Sequence, residues 1–204
     1  SLTIGLHAFG LDLSPDLGNP EHKNRFNRMT HEWFKNTVNH NTVVVDASRQ
    51  QSVYGGLPKA FYSGPVFGVA DVDSPGAYPQ TGLYRRGVVT VRVGPTNMYL
   101  VDFFRVRGGR SHVLSFHGAE GEAWCEGAAP VAQPTGTYAG PDVPYGHPYD
   151  AGGREPHEYE GSGFHYLDRV SRATRPGSPV SVTWKIEDTW GVLDHPEEIY
   201  LRFT

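Results

Sequence analysis

One cysteine, Cys125, occurs in 204 residues, so no disulfide can close within the chain and no cysteine-based metal cluster can form. The fold must therefore rest on its apolar core. No apolar run approaches the ~18 residues of a membrane-spanning helix. Nor is there an excess of positive charge: 18 Lys and Arg against 22 Asp and Glu give a formal net charge of −4, which argues against a nucleic-acid surface. A GxSxG nucleophile elbow, a Walker loop and a dinucleotide glycine fingerprint are all absent. So are internal repeats and blocks of like charge. The opening "SLTIGLHAFG" shows no signal-peptide pattern, and with the closing "EEIYLRFT" it reads as cut from a longer polypeptide.

What the chain does have is glycine (25), proline (16) and aromatic residues (12%), a composition that favours short strands joined by turns over helices. Its length suits one domain spanning 1–204. Two strand-like runs flank Gly10, followed by a turn at Ser14, Pro15 and Asp16. Further strands are expected over 42–46, 66–73, 83–93, 98–106, 112–116, 180–187 and 198–203. Gly94 to Asn97 and the pair Gly108 and Gly109 are expected to turn hairpins. Phe26, Met29, Trp33 and Phe34 recur at roughly helical spacing, which predicts one short helix within 21–39. From 130 to 163 no period survives, and a loop that long is a candidate functional surface, with Tyr138, Tyr145, Tyr149, Tyr159, His147 and His157 suited to stacking on sugars. The expected fold is all-β: an antiparallel β-sandwich, jelly-roll-like and of the supersandwich type, with one short helix.

Among ten histidines, His40, His112 and His117 stand apart because each sits at a strand end beside polar or small neighbours. His112 and His117 bracket "VLSF" and point to opposite faces of an ideal strand, so only one can join a given site without a bulge. His40 lies between two asparagines directly before "TVVVD", whose rigidity would fix an imidazole at the sheet mouth. Asp71 and Asp73 share a face, and Asp73 ends its strand at a Pro-Gly turn. His40, Asp73 and His112, from three separate strands, form a possible divalent-metal set, since imidazole and carboxylate suit Zn²⁺. No HxH or HExxH motif anchors it. Asp46 and Asp102 read as strand-terminal turn formers, and Glu120, Glu122 and Glu126 as an exposed connection.

The ordered segments "DLSPDLG", "HNTVVVDASRQ", "GAYPQTGLYRRGVVTV" and "YLVDFFRVRGGRSHVLSFHG" together resemble the β-sandwich domain of heparinase II/III-like polysaccharide lyases, from about residue 11 to 118. "TWKIEDTWG" looks like a later strand of the same domain. The resemblance implies the C-terminal part of a periplasmic or secreted two-part enzyme whose N-terminal α-helical toroid would be a partner within the same polypeptide. Such lyases cleave anionic, uronic-acid-containing polysaccharides by β-elimination, and the sandwich alone would be inactive or weak. The toroid supplies a tyrosine and the Asn or His residues that neutralise the uronate. The sandwich contributes a histidine and often a structural divalent metal, Zn or Ca. Carried over, His40 is the catalytic histidine or a metal ligand with Asp73 and His112, and Asn41, Tyr84 and Arg86 bind substrate. Val38 and Thr42 stand where family members can carry a second histidine, which leaves His40 between those two roles. Arg49, Arg85, Arg86, Arg105, Arg107 and Arg110 are candidates for a basic cleft rim, although Arg85 and Arg86 alternate faces. The alternatives are a non-catalytic carbohydrate-binding sandwich and a cupin-type metal enzyme; the wide spacing of the three metal candidates disfavours the second.

Overall fold

The run "TGLYRRGVVTVR" is rich in β-branched and aromatic residues and makes the longest strand of the molecule. In the computed structural model, which describes residues 2–18, 27–95, 97–150, 155–174 and 179–204, thirteen strands carry the architecture. They are β1 (Leu6–Ala8), β2 (Leu11–Ser14), β3 (Val43–Val45), β4 (Leu57–Ser63), β5 (Phe67–Asp73), β6 (Thr81–Arg92) and β7 (Met98–Gly108). After them come β8 (His112–Leu114), β9 (Gly121–Glu126), β10 (Val131–Ala132), β11 (Ser171–Arg172), β12 (Ser181–Ile186) and β13 (Ile199–Phe203). Every pairing is antiparallel. The orders are β4-β5-β6-β7, β13-β12-β9, β3-β8, β1-β2 and β10-β11, and the molecule is an all-β sandwich. Among the described residues no helix is long and apolar enough to cross a membrane.

Three apolar clusters hold these layers together. Val43, Val45, Tyr78 and Tyr84 pack with Val72, Phe104 and Val106 on the inner face of the four-stranded sheet. Leu11, Leu13, Ile186 and Ile199 join the first hairpin to the three-stranded sheet. Val38, Val44 and Phe164 fasten the later loops to β3. All three valines of β3 are buried, so the strand is covered on both faces. Each such side chain removed from water contributes about 1.5–3 kcal/mol before ordering costs are subtracted.

The structure departs from the sequence expectation in three places. The helix shrinks to a single wide turn, Thr30–Phe34, closed by the Lys35 amide on the Thr30 carbonyl at 3.0 Å, followed by a 3-10 turn at Thr37–Asn39. Residues 21–26 of the expected helix lie outside the described residues. Gly108 and Gly109 do not turn a hairpin, because β8 pairs with β3 and not with β7. Both adopt positive φ (101° and 77°), and a Cβ on Gly109 would lie 2.5 Å from Val45 Cγ1, so glycine is required where the chain leaves one sheet for the other. Four strands, β4, β9, β10 and β11, form where none was expected. β9 owes its place to pairing with β12, from Ser181↔Glu126 to Ile186↔Gly121.

Candidate functional site

The sequence triplet around His40 splits by direction. Asn39 and Asn41 are buried, and the His40 side chain between them is 16% exposed. The 3-10 turn ends at His40, whose amide donates to the Thr37 carbonyl at 3.1 Å, and whose own carbonyl accepts from Thr42 at 2.8 Å. His40 therefore stands on a short, doubly tied corner at the entry to β3. Its Nδ1 lies 2.7 Å from Asp16 Oδ1, an oxygen that also accepts the Gly18 amide at 3.0 Å. A Cβ on Gly18 would come within 2.3 Å of His40 Cε1, so the turn after β2 wraps the imidazole closely because residue 18 has no side chain. A carboxylate at Nδ1 selects the Nδ1–H tautomer and leaves the Nε2 lone pair available. Among the described residues Nε2 makes no hydrogen bond.

Asn41 locks the ground beneath this pair. Its side-chain amide donates to the Ile4 carbonyl at 2.8 Å and to Ser14 Oγ at 2.9 Å, and its oxygen accepts the His117 amide at 2.7 Å. His117 is thereby brought next to His40. Its Nε2 lies 2.9 Å from the Val38 carbonyl and 3.1 Å from Ser115 Oγ, so the proton sits on Nε2. Burial pushes the His117 pKa below its ordinary value, which favours the neutral imidazole. Of the two histidines that bracket "VLSF", the one that joins His40 is His117.

A row of rings continues from His117. Trp33 meets it edge-on at 6.3 Å between centroids, Tyr166 lies 6.1 Å beyond Trp33, and Tyr145 stands perpendicular to Tyr166 at 5.5 Å. The Tyr166 hydroxyl donates to Glu32 Oε2 at 3.2 Å. Burial, and after it the negative charge of Glu32, pushes the Tyr166 pKa up. Glu32 is itself fully buried and is met by Arg28 at 2.7 Å and by His165 at 3.2 Å. A cavity of 260 Å³ also opens beside His117, but its other walls include Val38, Phe116, Tyr138, Phe164 and Leu167. Walls of that kind would strand a charged sugar without partners, so the open row of rings is the better surface for one.

The other predicted site residues fall elsewhere. Tyr84 is buried: its hydroxyl donates to the Val43 carbonyl at 2.6 Å and lies 2.9 Å from Thr42 Oγ1. Arg86 is 3% exposed and clasps Asp102 through two hydrogen bonds of 2.9 and 2.7 Å, while Nη1 donates to the carbonyls of Leu2 and Asn41. Asn41 is likewise consumed by internal bonds. These three are interior supports, corrected here from substrate contacts, because no donor of theirs reaches an open surface. The expected metal set does not assemble either. Asp73 is 3.7 Å from Lys59, and His112 Nε2 is 2.8 Å from the Gly108 carbonyl. Among the described residues no three His, Cys, Asp or Glu side chains gather to hold a metal ion. Among the described residues, His40, Asp73 and His112 do not make a donor set for the implied Zn or Ca.

The basic rim is corrected in part: Arg85 and Arg105 both bind Asp71. Sequence reasoning missed Asp16, which had read as an ordinary turn former in "SPDLG", and missed Trp33, Tyr166 and Arg28. The spacing of Trp33 points only to a helix face, and the fold sets it beside Tyr166, more than a hundred positions away. Of the loop tyrosines, Tyr159 is buried, Tyr138 packs on Phe164, and Tyr145 remains half exposed in the row. Compared with protein-family models, curated proteins and solved structures, the chain finds no match.

Proposed function

We propose that this chain is the β-sandwich portion of a polysaccharide lyase that cleaves uronic-acid-containing polymers by β-elimination. The observation that carries the reading is the His40 imidazole, fixed through Nδ1 by Asp16 with its Nε2 turned away from that bond, at the position the lyase-like "HNTVVVD" motif occupies. In this reaction a base removes the C5 proton of the uronate and the electron pair forms a C4–C5 double bond. The C4–O4 bond breaks, and the departing oxygen takes a proton. Neutral His40 can accept or relay a proton at Nε2, and Asp16 stabilises the imidazolium that results. Burial favours the neutral form of His117 behind it, which limits competing charge. The groups that neutralise the uronate carboxylate are assigned to an α-helical toroid in the same polypeptide, so this portion alone is inactive or weak.

A non-catalytic carbohydrate-binding sandwich is the second reading, favoured by the ring row irrespective of His40. The deciding experiment joins this chain to the sequence encoded ahead of it. Ultraviolet absorbance of the new double bond is followed on heparan sulfate, heparin, alginate, hyaluronan and chondroitin. Product is expected on at least one polymer, with a loss of about 10²–10⁴-fold in His40→Ala and of about 10–100-fold in Asp16→Asn. A folded protein that forms no product on any polymer would sink the lyase reading in favour of the binding module.

A further inference from the structure

The ring row has a composition that a proton-transfer site does not require. Trp33, Tyr166 and Tyr145 follow His117 in successive ring contacts of 6.3, 6.1 and 5.5 Å. Two of the three rings are fixed by something other than a ligand. Trp33 packs on the Val38 and Phe164 cluster, and Tyr166 is tied by its hydroxyl to buried Glu32. Tyr145 stands at 84° to Tyr166 and is 52% exposed. Two perpendicular rings make a corner with a floor and a wall, and the C–H face of a pyranose packs on such a floor as it does on other flat apolar surfaces.

A cation lies at the same corner. Arg28 is 52% exposed, and its Nη2 reaches Glu32 Oε1 at 2.7 Å. Because the Tyr166 hydroxyl bonds the other oxygen of the same carboxylate, Arg28 is held close to that ring, near enough for its charge to oppose the upward shift of the Tyr166 pKa. A guanidinium carries five N–H donors in a planar fork, so an ion pair with Glu32 leaves donors for a second carboxylate. The Glu32 carboxylate balances the Arg28 charge, and its two oxygens meet Arg28, His165 and Tyr166, so what the corner offers an acid group is the remaining guanidinium donors. The floor thus suits a sugar ring and its edge suits an acid group on that ring.

We propose that Trp33, Tyr145, Tyr166 and Arg28 form a binding subsite for an acidic pyranose of a polymer whose reacting residue lies at His40. The proposal rests on the lyase reading for the direction of the polymer, but not for the binding itself. Trp33 and Tyr166 being held in place before the ligand arrives, little ordering cost falls on those two rings. An anionic chain laid along the row would present successive rings to it, and binding would weaken with salt because a charge pair contributes.

Isothermal titration with a polymannuronate tetrasaccharide and a heparosan tetrasaccharide tests this, with cellotetraose as the neutral counterpart of equal length. The protein used is this chain with the sequence encoded ahead of it. At least one acidic tetrasaccharide is expected to bind more tightly than cellotetraose, and less tightly as salt is raised. Tyr145→Ala is expected to weaken it about fivefold, and Arg28→Gln about tenfold with a flatter salt dependence. Thermal midpoints are read on both variants. Tyr145 is a half-exposed ring whose removal leaves no buried charge, so that arm stands even if Arg28→Gln unfolds. Equal binding of cellotetraose, no binding of either acidic tetrasaccharide, or Tyr145→Ala binding like the unaltered protein each overturns the subsite. Cleavage lost in His40→Ala alongside binding indifferent to Tyr145 leaves the lyase and removes the subsite. Binding that depends on Tyr145 and Arg28 in a protein that cleaves nothing does the reverse.

Discussion

Arg85 and Arg86 are neighbours in β6, and each clasps an aspartate through two hydrogen bonds, yet they stand on opposite faces of one sheet. Arg86 and Asp102 face the core, with side chains 3% and 12% exposed, and the guanidinium lies 5.2 Å over the Phe104 ring. Arg85 and Asp71 face outward, 28% and 15% exposed, with Arg105 as a second partner at 3.1 Å. The chemistry is the same and the surroundings differ. Inside, the spare donors of Arg86 tie down the carbonyls of Leu2 and Asn41, so one side chain joins the first segment, the His40 corner and β7. Outside, the pair is trim on a sheet face that water reaches. What the comparison teaches is that a charge pair acquires structural weight from the groups it leaves unsatisfied when it is broken, more than from its own attraction.

The sharpest way to break the comparison is to remove both arginines in turn. Arg86→Ala strands Asp102 and two carbonyls in the interior and is expected to cost about 3–5 kcal/mol, read as a lower urea midpoint with unchanged slope. Arg86→Met, which keeps volume while dropping the charge, is expected to be no milder, because Asp102 stays buried alone; pairing it with Asp102→Leu should recover much of the loss. If Arg86→Ala proves as mild as Arg85→Ala, burial does not set the difference.

Asn41→Ala comes next. It takes a partner from the Ile4 carbonyl, Ser14 and the His117 amide at once, and is expected to cost about 2–3 kcal/mol. It should also loosen the His40 corner, so activity would fall further than stability alone accounts for. A third test uses His117. Because its pKa is depressed in the folded state, the unfolded chain takes up a proton first on acidification. The associated stability is full above about pH 6.5, the ordinary imidazole value, and declines as pH falls below it towards the folded value. His117→Gln should flatten that decline in a denaturation series across pH, and an unchanged decline would remove His117 as its source.

The fold class was legible because β-branched runs and turn residues act locally. β5, β6, β7, β12 and β13 all form within a few positions of where 66–73, 83–93, 98–106, 180–187 and 198–203 placed them. What could not be read was pairing at a distance. β4 has no alternating pattern of its own, being exposed throughout, and exists because β5 offers it an edge. The site divides the same way. His40 at a rigid corner followed from the neighbouring strand, whereas Asp16, Trp33 and Tyr166 reach the site from segments whose own sequence gives no sign of it. Tyr84 and Arg86 misled because an alternating strand says which residues share a face, but not which face meets the core.

The smallest effect completes the contrast. Arg85→Ala is expected to lower the urea midpoint least of these variants, since Arg105 still faces Asp71 and water replaces the lost partner. Hydrogen bonding from Arg85, and after it from Arg105, holds the Asp71 carboxyl below the usual carboxylate range. A depressed acid contributes stability that is present above its unfolded value of about 3.9 and lost as pH falls through the folded one. The gap between the unaltered protein and Arg85→Ala should therefore be present at neutral pH, close in that acid window, and shrink with added salt. A gap that persists unchanged at low pH and high salt would mean that Arg85 acts through the packing of its aliphatic stem, and that charge is not what separates the two faces of this sheet.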